Sequence, residues 1–195
     1  MSRRSGVLEF AVLGLLHDAP MHGYELRKRL NTLLGTFRAI SYGSLYPCLK
    51  QMLRSGWIAE EESEATGGKR AKIVYKLTAE GKEHFAELMA ASGPDEWDDD
   101  NFGVRFAFFA RTDAAVRLRI LEGRRGRLEE RMDGFRSAAT RTAERLDAYT
   151  LELQRHGLES VEREVRWLTE LIDTERAAPR PATTPTPRTT TENPK

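Results

Sequence analysis

Apolar residues recur at helical spacing in two segments near the start of the chain. The first segment predicts a helix over residues 6–18, which Ala19-Pro20 ends. One side of this helix is predicted to be buried, through Leu8, Val12, Leu15 and Leu16. The second segment predicts a helix from His22 to Gly35. Its leucines face the first helix: Leu26, Leu30, Leu33 and Leu34.

The third segment, residues 40–56, has the most distinct two-sided pattern. At about 100° per residue, its large apolar residues share one side of a helix: Leu45, Leu49, Met52 and Leu53. The opposite side is small at its leading end and then basic or amide-bearing: Gly43, Ser44, Pro47, Lys50, Gln51 and Arg54. No acidic residue occurs in the segment. Ser41 is the predicted N-cap, and Pro47 predicts an irregular first turn because it has no backbone N–H to donate.

Such a polar face has the properties that a helix needs to enter the major groove of DNA. Small residues allow close approach, polar side chains hydrogen-bond to base edges, and cations pair with phosphates. The alternative is an ordinary amphipathic helix with a solvated basic face. The helix alone does not separate the two interpretations, so the segments that follow it decide.

Two predicted strands follow, over residues 57–61 and 72–77, and the second alternates Ile73, Tyr75 and Leu77 on one face. Gly67 and Gly68 form the tip between them and are followed at once by Lys69 and Arg70. A plain surface hairpin would explain the glycines but has no need for the paired cations. Placed directly after a basic amphipathic helix, the hairpin is interpreted as a wing that reaches a minor groove or a row of phosphates.

The next segment predicts a helix over residues 79–91, capped by Thr78. An acidic run at residues 95–100 then predicts a boundary between two halves of the chain. Clustered carboxylates suit Mg²⁺ or Ca²⁺, but the spacing fits no calcium loop, so a solvated linker is favoured. Phe102, Phe106 and Phe109 lie on one face of a short predicted helix, as an aromatic core or as the wall of an effector pocket.

From Leu128 onward, apolar residues step by four and three, which predicts a coiled-coil seam. The seam runs through Leu128, Met132, Phe135, Ala139, Thr142, Leu146, Tyr149 and Leu153. Gly157 interrupts it, and Leu158, Val161, Val165, Leu168 and Ile172 continue the stepping. The pattern predicts a long helix and a shorter antiparallel one, and two such hairpins can pair across a two-fold axis. The alternative is a monomeric hairpin packed on its own N-terminal half.

Composition changes this picture little. Residues 1–80 carry 12 Lys and Arg against 8 Asp and Glu, so the N-terminal part is the candidate for a polyanionic partner. The single cysteine, Cys48, excludes an intrachain disulfide, and we interpret it as a packing residue rather than a redox sensor. No predicted signal peptide or membrane span is present, so a cytoplasmic location is expected. Residues 177–195, rich in Pro and Thr, predict a disordered tail.

No pattern of catalytic or metal-binding residues is found in the sequence. The four histidines, His17, His22, His84 and His156, are far apart and lack partners at metal-ligand spacing. Phosphate-binding loops, nucleophile elbows and dinucleotide fingerprints are also missing from the sequence. We therefore predict a non-enzyme without cofactors.

Four motifs occur in order between residues 22 and 81 and carry a family resemblance. They are His22-Gly23-Tyr24-Glu25-Leu26, Ser41-Tyr42-Gly43-Ser44-Leu45-Tyr46-Pro47-Cys48-Leu49, Gly56-Trp57-Ile58 and Tyr75-Lys76-Leu77-Thr78-Ala79-Glu80-Gly81. With these motifs the chain resembles the PadR family of bacterial transcriptional regulators. The helical C-terminal half is similar to that of the longer PadR subfamily, so that the similarity spans about residues 7–173.

The resemblance implies a dimeric repressor that a small effector releases from DNA. It also implies DNA contacts by Tyr24, Ser41, Ser44, Tyr46 and Lys50, with Lys69 and Arg70 on the wing. Tyr42, Gly43, Pro47, Gln51 and Arg54 complete the predicted DNA-binding surface. The helical pattern places Tyr46 on the flank, so its hydroxyl is expected to reach a phosphate rather than a base, and Tyr24 is interpreted equally well as a packing residue.

The predicted fold is mainly α with a small β wing. A winged helix-turn-helix domain (1–92) precedes an acidic linker and aromatic helix (93–112), an antiparallel coiled-coil-like dimerisation domain (113–176) and the tail (177–195). The predicted partners are a double-stranded operator with two half-sites, a second copy of the chain, and a small hydrophobic or aromatic effector. Predicted effector contacts are Trp97, Phe102, Phe106, Phe109 and Trp167. The alternative function is a winged-helix protein-interaction or ligand-sequestering dimer that does not bind DNA.

Overall fold

The computed structural model describes residues 3–34, 42–62, 73–142 and 147–178. Within these ranges the helices and strands are α1 Arg3–Asp18, β1 Met21–His22, α2 Gly23–Leu34, α3 Tyr42–Arg54, β2 Ile58–Glu62, β3 Ile73–Leu77, α4 Ala79–Ala90, α5 Phe102–Ala107, α6 Ala114–Thr142 and α7 Ala148–Ala177. Short 3₁₀ helices, Pro94–Trp97 and Phe109–Arg111, flank α5. The mainly helical fold class with a small sheet is confirmed.

The sheet is antiparallel, with β3 in the middle and the order β1-β3-β2. Tyr75 of β3 lies opposite Glu60 of β2 and Met21 of β1, and its ring is buried. Strand β1 was not predicted, and His22, expected to open the second helix, lies in it. A strand of two residues is too short to show an alternating pattern, so only its pairing with β3 reveals it.

Helix α1 is buried on every side from Val7 to Leu16, and the prediction of a single buried side was wrong. Helices α3 and α4 contact it, together with the segment around α5. There, the ring of Phe108 lies 5.2 Å from that of Phe10, and the Arg105 guanidinium lies 4.3 Å above the Phe10 ring. The side of α1 that was not predicted to be buried is covered by residues far along the chain. A local sequence pattern cannot show such contacts.

Helix α5 lies between two hydrophobic cores. Val104 of α5, and Phe108 just after the end of α5, belong to the core of the N-terminal elements. Phe102 and Phe106 pack instead with the core of α6 and α7. Residues 93–112 therefore join the two parts of the molecule through buried contacts.

The acidic run is part of this junction, and the prediction of a solvated linker was wrong. Glu96 forms an ion pair with buried Arg105, and Asp99 pairs with buried Arg124 of α6. The hydrogen bond from Arg124 holds the pKa of Asp99 below its ordinary value. Asp98 is buried and accepts hydrogen bonds from the backbone N–H groups of Asp100 and Asn101, both at 3.0 Å. The acidic residues are neighbours in the sequence, whereas the arginines that pair with them lie elsewhere in the chain. The sequence pattern therefore did not show these ion pairs.

Helices α6 and α7 form an antiparallel hairpin of two nearly equal helices, with 29 and 30 residues. The predicted continuous helix through Leu153 was wrong, because α7 already begins after Asp147. The Asp147 carboxylate accepts hydrogen bonds from the N–H groups of Tyr149 and Thr150, at 2.9 and 3.0 Å, and so caps the new helix. Gly157, the predicted break, lies inside α7, where Phe135 of α6 approaches within 3.8 Å of the position of an added Cβ.

Candidate nucleic-acid interface

Helix α3 presents the two faces that its sequence predicts. Leu45, Leu49 and Met52 are fully buried against α1 and the sheet, and Leu53 is half-buried. The opposite side is exposed along its length at Gly43, Ser44, Tyr46, Pro47, Lys50 and Arg54, while Gln51 is half-buried. The helix is α-helical throughout from Tyr42, including Pro47, so the predicted irregular first turn was wrong. The chain thus offers a slender, polar helix surface to solvent.

The charge of this exposed face is entirely positive. Lys50 and Arg54 lie one turn apart, and no ion pair with either is found in the described part of the chain. Cys48 lies on the inner side, where its thiol is buried and donates to Met52 Sδ at 3.8 Å. Burial, and then the charge of Glu9, raises the pKa of the Cys48 thiol to about 12. The thiol therefore serves packing, which agrees with the interpretation of Cys48 from the sequence.

A glycine ends α3, and its position determines where the following strand begins. Gly56 has φ 74° and closes the helix with two hydrogen bonds, Gly56 N–H to Leu53 O and Trp57 N–H to Met52 O. The Thr78 hydroxyl donates to the Gly56 carbonyl at 2.6 Å and accepts from Gly81 N–H at 2.9 Å. The predicted helix end at Gly56 and the predicted cap at Thr78 are both confirmed. Helices α3 and α4 and strand β2 are thereby held together.

Two tyrosines extend the exposed face of α3 toward α2. Tyr24, the second residue of α2, is 68% exposed, which favours a surface role over packing. Tyr46 is 40% exposed, and its hydroxyl lies 3.3 Å from the position of an added Cβ at Gly23. Burial, followed by the charges of Glu60 and Tyr46, raises the pKa of Tyr75 nearby. The hydroxyl of Tyr46 therefore stands where the surfaces of α2 and α3 meet.

Some predicted DNA contacts cannot be placed. Ser41, Lys69 and Arg70 lie outside the described residues, as does the side chain of Tyr42. The predicted wing tip and the predicted tail lie outside them as well. Their assignments stay predictions.

The predicted effector residues do come together, but as a packed aromatic cluster. The Phe106 ring lies 5.0 Å from Phe109 and 5.2 Å from Trp167, and Phe102 is 5.9 Å from Phe106. Phe109 lies beyond the end of α5, in the following 3₁₀ helix, rather than on the same helix as predicted. Trp97 packs elsewhere, with its indole over Gly123 of α6. Phe102 is buried and the other rings are half-buried or exposed at the surface.

A cavity of about 340 Å³ lies close to this junction, between α1, α4 and the start of α6. Phe85, Met89 and Val116 give it apolar walls, and His17, Lys82 and Arg111 stand at its polar side. Asp113 also lines the cavity, and Arg111 already pairs with Asp18 at 2.6 Å. The walls therefore suit a small molecule with an apolar body. The sequence contained no signal for it, because its walls come from three separate segments.

Neither a membrane-spanning helix nor a metal site occurs in the described residues. No helix there is long and apolar enough to cross a membrane. Nor does any group of three or more His, Cys, Asp or Glu side chains there have the arrangement of a metal site.

Part of the chain is similar to known proteins. Residues 12–87 match the model of the transcriptional regulator PadR-like family. The negative transcriptional regulator PadR of Bacillus subtilis (strain 168) is 30% identical over 105 residues, which cover 53% of this chain and 57% of that protein. The chain thus spans little more than half the length of this curated relative.

Solved structures show similarity over a longer part of the chain. Bacillus subtilis PadR in complex with operator DNA is 20% identical, covers 87% of this chain and 99% of that one, and gives a TM-score of 0.43. The same protein in complex with p-coumaric acid has the same identity and coverage and a TM-score of 0.41. The resemblance rests on the sequence match: residues 12–87 of this chain are similar to the transcriptional regulator PadR-like family.

Proposed function

We infer that the protein is a sequence-specific, DNA-binding repressor that acts as a homodimer and is released by a small effector. The observation that carries this proposal is the exposed, acid-free face of α3, with Lys50 and Arg54 on its surface and three fully buried apolar residues behind it. The relative from Bacillus subtilis is named a negative transcriptional regulator, which supports repression.

The order of residues along α3 suggests that different parts of the helix contact bases and phosphates. Gly43, Ser44 and Pro47 keep the leading end slender, so that the backbone can approach the base edges. Lys50 and Gln51 follow with long polar side chains that can hydrogen-bond to bases. Arg54 at the end of the helix, Tyr46 at its flank and Tyr24 of α2 are proposed to contact phosphates. Ser41, Tyr42, Lys69 and Arg70 are proposed to add contacts at the helix start and the wing.

Dimerisation is proposed through an exposed stripe of α7. Tyr149 is 90% exposed, Leu153 70% and Trp167 39%, and all three lie on one side of the helix, away from the seam with α6. Large exposed apolar side chains in a row are typical of a surface that another protein covers. A two-fold pairing of this stripe would present two copies of α3, as binding to two half-sites about 34 Å apart requires.

Effector release is proposed to act at the junction around α5. This helix contributes Phe102 and Phe106 to one core and Val104 to the other, so a shift of α5 moves both parts. Two candidate sites for a small aromatic effector lie at this junction: the aromatic cluster with Trp167, from which Trp97 is separate, and the nearby cavity lined by Phe85 and Lys82. A ligand that binds one arrangement of the junction better than the other would change the spacing of the two α3 helices.

Substitutions at three exposed residues are compared for their effect on discrimination between DNA duplexes. A duplex selected by the wild-type protein from a random-sequence library serves as the probe, and a scrambled duplex as its competitor. Lys50→Gln and Ser44→Ala should reduce discrimination between the two by about 1–3 kcal/mol for each lost base contact. Arg155→Gln, on the exposed surface of α7, should leave it unchanged.

Two results would contradict the proposal. Failure to enrich any sequence from the library would favour a winged-helix module that binds proteins or sequesters ligands. Equal affinity for all duplexes, unaffected by Lys50→Gln, would show that α3 does not read bases.

A further inference from the structure

A buried carboxylate in the middle of α1 takes no part in the proposed DNA contacts. Glu9 is only 7% exposed, and its neighbours Leu8 and Phe10 belong to the core of the N-terminal elements. A carboxylate in such surroundings costs free energy unless it has a hydrogen-bond partner. His84 of α4 is that partner, with its Nε2 3.2 Å from Glu9 Oε1. The contact spans 75 residues of sequence, so it joins two helices rather than stabilising one.

His84 also contacts the residue that follows the glycine at the end of α3. Its imidazole stacks on the indole of Trp57, with the ring centroids 3.8 Å apart and an interplanar angle of 16°. A second carboxylate, that of Glu87, lies 3.8 Å from His84 Nδ1, but this side chain is 81% exposed. An exposed side chain loses entropy when it is held in one geometry, whereas a buried hydrogen bond is already confined by packing. Glu9 is therefore the carboxylate that can hold the stacked ring in place.

Trp57 lies between the end of α3 and the start of β2. Its backbone N–H donates to Met52 O at 3.0 Å, which closes the last turn of α3. Its carbonyl accepts from Thr78 N–H at 3.1 Å and lies against Gly81, where a side chain would not fit. The first turn of α4 thus holds the backbone of Trp57, while the imidazole holds its side chain. Arg54, which is proposed to contact a phosphate, is only three residues earlier in the chain.

We propose that Glu9 and His84 are positioning residues for DNA recognition: their hydrogen bond fixes the imidazole, and the stack on Trp57 fixes the orientation of the end of α3 relative to α1. This inference rests on the proposed function, in which α3 contacts base edges. It adds two residues that touch no DNA and lie on other helices.

A small tilt of α3 should affect base contacts more than phosphate contacts. Hydrogen bonds weaken steeply when their angle departs from linearity, so the bonds that Lys50 makes to bases are sensitive to the orientation of the helix. The contribution of released counterions depends on how many phosphates are neutralised, and a tilt need not change that number. Loss of the Glu9–His84 bond is therefore expected to lower sequence discrimination while the salt dependence of binding stays the same.

The matched variants Glu9→Leu and Glu9→Gln test the proposal. Leucine fills a similar buried volume but cannot hydrogen-bond, whereas glutamine lacks the charge and can still accept a hydrogen bond from the imidazole. Affinity of the full chain for the selected duplex and for a scrambled duplex is measured over a range of salt concentrations. Glu9→Leu should reduce the ratio of the two affinities about fivefold or more, as is typical of coupling between separate sites. Glu9→Gln and the exposed control Glu87→Gln should keep the wild-type ratio.

Fluorine NMR of the full chain labelled with fluorotryptophan separates positioning from stability. The chain has three tryptophans, and the resonance that disappears in Trp57→Phe belongs to Trp57. In Glu9→Leu this resonance should shift, while those of Trp97 and Trp167 stay in place. A substitution that only lowered the stability of the fold would leave all three resonances of the folded protein unchanged.

Unchanged discrimination in a folded Glu9→Leu protein would overturn the proposal, as would an unshifted Trp57 resonance. Equal losses in Glu9→Leu and Glu9→Gln would also overturn it, because the hydrogen bond would then not be the cause. If Glu9→Leu does not fold, His84→Phe takes its place with the same expected loss, since it keeps a stacked ring without the hydrogen bond. If Lys50→Gln relaxes discrimination while these variants do not, the proposed function stands and this inference falls. If the wild-type protein enriches no duplex, both fall.

Discussion

The ring of Phe108 fills the space that a side chain at Gly14 would need. A Cβ added to Gly14 would stand 2.2 Å from Phe108 Cε1 and 2.6 Å from Cζ. The same ring lies 5.2 Å from Phe10 and 6.4 Å from Phe85, so it has little room to move. Close contact between α1 and the end of α5 therefore depends on the absence of a side chain at residue 14, and it joins the N-terminal part to the junction.

Gly14→Ala should consequently destabilise the protein, although alanine favours helices. Overpacking of this kind lowers the free energy of unfolding by about 1–3 kcal/mol. Gly6→Ala is the matched control in the same helix, since nothing lies within 4 Å of its added Cβ, and it should stabilise by about 0.5–1 kcal/mol. Urea unfolding followed by circular dichroism measures both. The double variant Gly14→Ala/Phe108→Leu should recover part of the loss, and strict additivity would contradict the contact.

Arg105 should be far more important for stability than an exposed arginine in an ion pair. It is buried under Phe10 and paired with Glu96, so Arg105→Ala leaves a carboxylate without its partner. Breaking a buried pair in this way costs about 3–5 kcal/mol. Arg136→Ala, which removes a 3.1 Å exposed pair with Glu162, should cost at most about 1 kcal/mol. Similar unfolding midpoints for the two variants would contradict the buried junction.

Cys48 should resist thiol reagents in the folded protein. Because burial and the charge of Glu9 raise its pKa from 9.0 to about 12, the thiolate fraction near pH 8 falls about a thousandfold. The folded state retains the thiol proton, so this group favours folding below pH 9 and loses that contribution as the pH rises toward 12. Reaction with a disulfide reagent should be slow in buffer and fast in urea. Equal rates in both would contradict the buried thiol.

Leu153 should matter for assembly rather than for the fold of the single chain. Leu153→Asp places a charge in the exposed stripe of α7 and should convert dimers to monomers at micromolar concentration, measured by sedimentation equilibrium. Leu151 is the matched control, because it lies about 200° around the same helix and is also partly exposed. Leu151→Asp should leave the dimer intact. A dimer that survives Leu153→Asp, Tyr149→Asp and their combination would exclude this stripe as the interface.

Local signals were sufficient for helix α3 and for the start of α4. Helix α3 was predictable because its faces differ at a period of 3.6 residues, and its end was predictable because Gly56 adopts a conformation that favours glycine. Thr78 and the limits of α4 followed from cap chemistry. These features depend on residues within one turn of each other, so the sequence shows them directly.

Features that depend on distant partners were missed. The partners of Asp99 and Glu96 are Arg124 and Arg105, and the cover of α1 comes from Phe108. The hairpin turn was misplaced because apolar residues keep the same stepping on both sides of Asp147.

The proposed dimer offers two copies of α3 to one side of a duplex. Hydroxyl-radical footprinting on the selected duplex tests it most directly. Two protected patches should appear on one face of the DNA, centred one helical turn, about 34 Å, or a multiple of it apart. Protection should require more protein in Lys50→Gln, and the paired pattern should be lost in Leu153→Asp. A single protected patch, or two patches on opposite faces of the duplex, would contradict the account.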